Sequence, residues 1–277
     1  MTFGSRLAEA FDARGRLCVG IDPHPALLEA WGLTDSVFGL ERFAMTAVEA
    51  FGSAAPVVKP QSAFFERHGS KGIAVLESVI EGCRAGGALV LLDVKRGDIG
   101  STVQAYADAY LDPTSPLAAD AVTASPFLGI GSLDPLIDTA LAHDAGVFLL
   151  ALTSNPEGPQ VQHAVTDDGR TVAARVLEAV AARNAGPVPG SVGAVVGATI
   201  DLPGDVDADT LDVNGPLLVP GIGAQGGTLA DVRRIFGPAS RLVLPSISRE
   251  ILRAGPDRSA LHDAVRRAAD TYAVLAD

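Results

Sequence analysis

Cysteine is nearly missing from this 277-residue chain: Cys18 and Cys83 are the only two, with no Cys-x-x-Cys and no neighbouring His. That excludes a disulfide-stapled scaffold and a zinc site, and predicts a reducing compartment. Basic residues are also scarce, 21 against 33 acidic for a formal net charge of −12, and no basic run occurs. Duplex nucleic acid and anionic membrane are therefore excluded as main partners, and any anionic ligand has to be held by a few local donors. No apolar run approaches membrane-spanning length, and Glu9 falls where the apolar stretch of a signal peptide would lie, which predicts a soluble cytoplasmic protein. His24, His68, His143, His163 and His262 lack ligand spacing, so no metal is predicted. Rarest among the charged types is lysine, with Lys59, Lys71 and Lys95 alone among the 21 basic residues.

What the chain has is apolar substance, 48 % hydrophobic against 19 % charged, enough for a sizeable core. Short aliphatic runs alternate with longer amphipathic stretches. The strand-like runs are Leu17–Asp22, Pro56–Pro60, Ala88–Lys95, Asp120–Ser125, Gly146–Ser154, Val192–Thr199, Pro216–Gly221 and Arg241–Ser246. Between them lie helical patterns over Glu41–Phe51, Gly72–Ala85, Thr102–Tyr110, Leu133–His143, Thr171–Asn184, Leu229–Phe236 and Leu261–Leu275, with a weak one near Asp205–Asp212. Continuous apolar strands and 3.6-residue periodicity in the connectors mean parallel strands covered on one side by helices. Eight such units in one chain of this length predict a single α/β domain over residues 1–277, a closed (β/α)8 TIM barrel. The interval Asn155–Arg170, rich in Pro, Gly and Asp, reads as a long loop after a strand, either a lid or a surface insertion.

In such a barrel, polar residues at the C-terminal ends of strands are the functional candidates. That filter returns Asp22, Lys59, Asp93, Lys95, Asp98, Ser125, Ser154, Thr199, Gln225 and Arg249. The densest cluster is Asp93-Val94-Lys95-Arg96-Gly97-Asp98. Strand alternation puts Asp93 and Lys95 on one face, with Lys59 one strand away. Spacing alone leaves two readings, a structural ion pair at the rim or a charged catalytic array. A second cluster, Pro220-Gly221-Ile222-Gly223-Ala224-Gln225-Gly226-Gly227, contains Gly-x-Gly-x-x-Gly, but it sits in the seventh unit and not in the first, where a dinucleotide fingerprint opens. In a barrel, the loops after strands seven and eight form a phosphate cup of backbone N–H groups, to which Arg249 would add a bidentate clamp.

These residues carry a resemblance. Asp93-x-Lys95-Arg96-x-Asp98-Ile99-x-x-Thr102 resembles the signature of the orotidine 5′-phosphate decarboxylases, specifically their longer bacterial branch. Gly20-Ile21-Asp22-Pro23, Val58-Lys59-Pro60-Gln61-Ser62-Ala63-Phe64-Phe65 and the glycine-rich segment from Pro220 agree in order and spacing. The resemblance implies a cofactor-free decarboxylation yielding uridine 5′-phosphate and CO2. Lys59, Asp93 and Lys95 would form the charged array, with Lys95 stabilising and protonating the C6 carbanion. Asp98 and Thr102 would reach into a neighbouring subunit's site, which implies a homodimer. Asp22 would bind the ribose hydroxyls, Ser154 the pyrimidine edge, Gln225 both base and phosphate, and Arg249 with the backbone around Gly226 the phosphate, while Pro220 packs on the base. One departure is Ser246-Ile247-Ser248-Arg249, where many members have Gly directly before the Arg. Two alternatives stand beside this reading. A sister enzyme decarboxylating a keto-sugar-acid phosphate needs a metal-binding carboxylate where this chain has Lys59, and a non-catalytic phosphate-binding barrel would have no use for the intact array.

Overall fold

The computed structural model describes residues 1–186, 189–223 and 226–275. Eight parallel strands, β1 (Cys18–Ile21), β2 (Val57–Pro60), β3 (Leu89–Arg96), β4 (Ala121–Ala124), β5 (Gly146–Leu152), β6 (Val192–Val196), β7 (Leu217–Val219) and β8 (Val243–Ile247), close in sequence order, with β8 pairing back to β1. The strand cores are buried on both faces, as parallel strands under a helical layer must be. Helices follow within the expected intervals, among them Val37–Phe51, Gly69–Ala85, Gly100–Leu111, Asp134–Ala142, Val172–Arg183, Leu229–Phe236 and Arg258–Tyr272.

Two elements differ from the sequence expectation. A helix over Phe3–Arg14 precedes β1, capped by the Thr2 side chain, which accepts from the Ser5 N–H. Its Phe3 and Leu7 are buried against the barrel floor, Phe3 meeting Phe148 edge-on at 6.0 Å. The interval after β5 is not structureless. It holds a short helix, Pro159–Gln162, and a bridge between Val165 and Thr171.

The barrel interior is layered, and the layering positions the site. One residue from each strand, Cys18, Val57, Leu91, Ala121, Phe148, Val195, Leu218 and Leu244, packs with Phe3 and Leu7 in a closed apolar layer. Side chains two residues further along point the same way. That second layer is Gly20, Lys59, Asp93, Thr123, Leu150, Gly197, Pro220 and Ser246. An apolar plug below and Lys59, Asp93, Thr123 and Ser246 in the layer above place the polar chemistry of this interior at its C-terminal mouth.

Candidate active site

A cavity of about 1200 Å³ opens over that second layer, lined among others by Asp22, Lys59, Asp93, Lys95, Ser154, Pro220 and Arg249. The two second-layer glycines let Ser248 and Ser154, which line it, pack close. A Cβ on Gly20 would stand 2.7 Å from Ser248 Cβ, and one on Gly197 would overlap the Ser154 hydroxyl.

At the cavity floor, Asp93 is gripped from three sides. Lys59 Nζ donates to its Oδ2 at 3.0 Å, Lys95 Nζ to its Oδ1 at 2.5 Å, and the Thr123 hydroxyl to Oδ1 at 2.8 Å. The Lys59 and Asp93 side chains are 8 % and 7 % exposed, whereas Lys95 is 46 % exposed. Burial alone would neutralise such groups. For Asp93 it pushes the carboxyl upward, but the Lys59 and Lys95 ammonium charges outweigh it and hold the group well below the usual carboxylate range. For Lys59 burial pushes downward, and the attraction of Asp93 and then Asp22 outweighs it, so the ammonium is held more firmly than usual. Gln61 Oε1 lies 3.4 Å from Lys59 Nζ. Beneath, in the apolar layer, burial pushes the Cys18 thiol up to about 12, which leaves it neutral and inert.

The Asp93–Lys95 contact is reached differently from simple alternation. The β3–β4 register runs Leu92↔Val122 and then Arg96↔Ala124, so residues 93–95 face Thr123 alone. Within this bulge Lys95 adopts a left-handed backbone, φ 44°, a conformation costing ~1 kcal/mol or more for a residue with a side chain. Its N–H donates to Thr123 Oγ1 at 3.0 Å. Sequence reasoning passed over Thr123. The available signal was a lone hydroxyl at an inward position, two residues before Ser125, in an otherwise apolar run.

Three buried polar atoms at the cavity have no partner within the structure: Asp22 Oδ1, Ser154 Oγ and Ser248 Oγ. Buried groups are normally satisfied, and three such orphans on residues that line one cavity make it the candidate site for a polar ligand. Arg249, at the start of the helix Arg249–Leu252, also lines the cavity. Its guanidinium pairs with no carboxylate among the described residues, a cation left available for an anion. The glycine-rich segment is a tight turn with positive φ at Gly221, Gly223 and Gly226. The N–H groups of Gly223, Gly226 and Gly227 donate to Gly227, Gly223 and Gly221 carbonyls at 3.0, 2.8 and 2.9 Å. Those three amides are thus engaged inside the turn, and Gly226 does not line the cavity. Gln225 lies outside the described residues.

Asp98 and Thr102 are not brought to the array. Asp98 Oδ1 accepts from the Ile99 N–H at 2.8 Å, Thr102 is exposed at the start of the helix Gly100–Leu111, and neither lines the cavity. Beside them Ile99, Phe127 and Leu128 are large apolar side chains left exposed. The segment after β5 forms part of the rim, where Gln162 clamps Thr153 by accepting its N–H at 2.9 Å and donating to its hydroxyl at 2.7 Å. Among the described residues no group of three or more His, Cys, Asp or Glu could hold a metal ion, and no helix is long and apolar enough to cross a membrane.

Known proteins resemble this one along nearly its whole length. The model of the orotidine 5′-phosphate decarboxylase / HUMPS family matches residues 15–264. A Salinispora arenicola protein named orotidine 5′-phosphate decarboxylase is 62 % identical over 99 % of this chain and 98 % of its own. A Nocardioides protein of the same name is 64 % identical over 97 % of each chain. A crystal structure from Streptomyces avermitilis superposes with a TM-score of 0.95 at 58 % identity, covering 99 % of this chain and 96 % of that one.

Proposed function

The chain belongs to the orotidine 5′-phosphate decarboxylase / HUMPS family and is a carboxy-lyase acting on orotidine 5′-phosphate, and we propose that residues 1–277 form one barrel domain whose Lys59, Asp93 and Lys95 perform that reaction without a cofactor. The observation that carries the residue assignment is the array itself, two ammonium groups on one buried carboxylate at the floor of the cavity.

Loss of CO2 from C6 of the pyrimidine leaves an electron pair in the ring plane with little resonance relief, so the protein must place positive charge where that pair develops. Lys95 is the half-exposed member, with Nζ anchored to Asp93 and its remaining N–H bonds open to the cavity. It stabilises the carbanion and then transfers a proton to C6. Lys59 is walled in and holds Asp93 from the far side. Because both ammonium groups are oriented before substrate arrives, their reorganisation adds nothing to the barrier. Asp93 sits beside the leaving carboxylate, and the orphaned Asp22, Ser154 and Ser248 oxygens meet ribose and base polar groups. Arg249 grips the phosphate, whose binding energy closes and orders the site far from the reacting carbon. The engaged glycine amides put more of that task on the guanidinium.

With Asp93 and Asp22 both attracting Lys59, the half-exposed Lys95 is the positive end that the array presents at the mouth. A second copy of the chain docking its Asp98 at the mouth would alternate the charges and neutralise it. The exposed Ile99, Phe127 and Leu128 beside that mouth support such a homodimer, with Asp98 and Thr102 crossing the interface. Two buried, unpaired thiols support a reducing, cytoplasmic setting.

The test follows orotidine 5′-phosphate absorbance with chelator present. The parent protein turns over without metal, and Lys95→Ala loses at least ~10³-fold, the scale of a positioned acid and charge stabiliser combined. Metal-dependent turnover points to the sister decarboxylase chemistry, and a fully active Lys95→Ala removes Lys95 from the mechanism.

A further inference from the structure

Thr123 touches the array twice. Its side chain is fully enclosed, 1 % exposed, at the centre of β4. A threonine hydroxyl has one proton to give and two lone pairs. The proton goes to Asp93 Oδ1, and a lone pair takes the Lys95 N–H. Since an ionised carboxylate can only accept, the direction of the first bond is fixed, and it fixes what remains for the second.

Both bonds act where the chain departs from regular structure. Between Leu92↔Val122 and Arg96↔Ala124 the ladder skips, and Lys95 turns left-handed in the gap. The Thr123 hydroxyl takes up the Lys95 N–H there. The same oxygen sets the rotation of the Asp93 carboxylate, so that Oδ1 meets Lys95 Nζ and Oδ2 meets Lys59 Nζ. One hydroxyl therefore ties the backbone of Lys95 to the carboxylate that anchors its ammonium group, closing a ring through both ends of the lysine.

We propose that Thr123 is a positioning residue for the decarboxylation, its hydroxyl holding the bulged Lys95 backbone and the Asp93 carboxylate in one geometry so that Lys95 Nζ meets C6 at a single place. This rests on the decarboxylase reading above. Thr123 lines the cavity floor but is 1 % exposed, with its hydroxyl proton given to Asp93 and its oxygen taken by the Lys95 N–H, so its loss acts on turnover through Lys95 while the ribose and phosphate contacts stay intact.

Thr123→Val keeps the branched shape and removes the hydroxyl, and Thr123→Ser keeps the hydroxyl and removes the methyl. Steady-state kinetics on orotidine 5′-phosphate should show kcat for Thr123→Val reduced at least ~10-fold with KM within ~3-fold of the parent, and Thr123→Ser within ~3-fold in both, since misplacement on the scale of 1 Å costs up to 10²-fold. Amide hydrogen exchange at Lys95, read by NMR, should accelerate in Thr123→Val and stay slow in Thr123→Ser. An unchanged kcat in Thr123→Val, equal impairment in both variants, or an effect confined to KM overturns the proposal. Should the parent protein itself fail to turn over, the decarboxylase reading falls, and Lys95 exchange decides the tether alone: equal protection in parent and Thr123→Val overturns it.

Discussion

Replacing Asp93 by Asn removes one negative charge from between two ammonium groups and leaves the shape almost unchanged. Lys59, 8 % exposed and 3.0 Å from Asp93, then keeps neutral acceptors alone, the new amide oxygen and Gln61 Oε1 at 3.4 Å, with Asp22 as the remaining source of charge attraction. At an effective dielectric near 20, a pair at this distance attracts with ~5 kcal/mol, part of which only offsets the cost of burial. Breaking a buried pair on one side therefore costs ~3–5 kcal/mol, about 1–2 M in urea midpoint at a slope of about 3 kcal/mol/M. Lys95 adds little to this loss, because its half-exposed side chain can turn to water. The reasoning makes a sharper demand on the double variant Asp93→Asn/Lys59→Met. With both buried charges gone, nothing is left uncompensated, and the cost should fall below ~2 kcal/mol although two polar contacts have been deleted. Urea unfolding of parent, both single variants and the double variant, followed by fluorescence and circular dichroism, measures the coupling. A cost under ~1 kcal/mol for Asp93→Asn, or a double variant that costs the sum of its singles, refutes the account of the array as mutually compensated buried charge.

The same array sets a pH dependence of stability. Asp93 is depressed in the folded state, so its contribution is present above its unfolded value near ~4 and is lost as pH falls through the lower folded value, and the stability gap between parent and Asp93→Asn should narrow progressively below about pH 4. Lys59 is raised, so its contribution is fully present below the unfolded lysine value near ~10 and is lost only as pH climbs from there through the higher folded value; a gap that stays constant on acidification from pH 7 to 3 contradicts the Asp93 assignment. The homodimer has its own test, mixing Lys95→Ala with Asp98→Ala after unfolding and refolding together. If each site takes Lys95 from one copy and Asp98 from the other, half of the dimers are mixed and each has one intact site, so two inactive proteins should recover about a quarter of parent activity, and no recovery sinks the shared site.

The barrel was legible because parallel strands buried on both faces leave a signal that depends on local sequence alone, and the helix boundaries shifted by only a few residues. The helix over Phe3–Arg14 left a weaker signal. Phe3, Leu7 and Phe11 do fall at i, i+4 and i+8 and face the barrel, but three apolar positions among polar neighbours are a weak stripe, and Arg6 and Arg14 add contacts to Asp120 and to the Gly52, Ala55 and Gly86 carbonyls that no period reveals. Lys59, Asp93 and Lys95 were found by type and place, yet the route to their contact was not. Regular alternation predicts a shared face, whereas the structure reaches it through a register skip and a left-handed lysine. A register skip is a relation between two strands and has no residue pattern of its own. Thr123 is legible only as a lone inward hydroxyl: its role in Ala121-Val122-Thr123-Ala124 emerges when β3 is bulged opposite it. In the glycine-rich turn the amides of Gly223, Gly226 and Gly227 close the turn itself, an engagement that a pattern of glycines does not reveal.

The scarcity of lysine acquires a physical meaning at this site. A guanidinium at position 95 would also carry positive charge, and its planar fork would seat both N–H bonds on Asp93. Bidentate pairing would direct the cation at the carboxylate and away from the substrate, and a group with so high a proton affinity donates poorly to carbon. An ammonium has three donors on one atom, so one can be anchored on Asp93 Oδ1 while the others face the cavity. Lys59 uses the same geometry for the reverse purpose, engaging two of its donors with Asp93 and Gln61 on a side chain that is only 8 % exposed. The two lysines thus differ in exposure and not in kind, and that difference separates the cation that holds the array from the cation that gives up a proton.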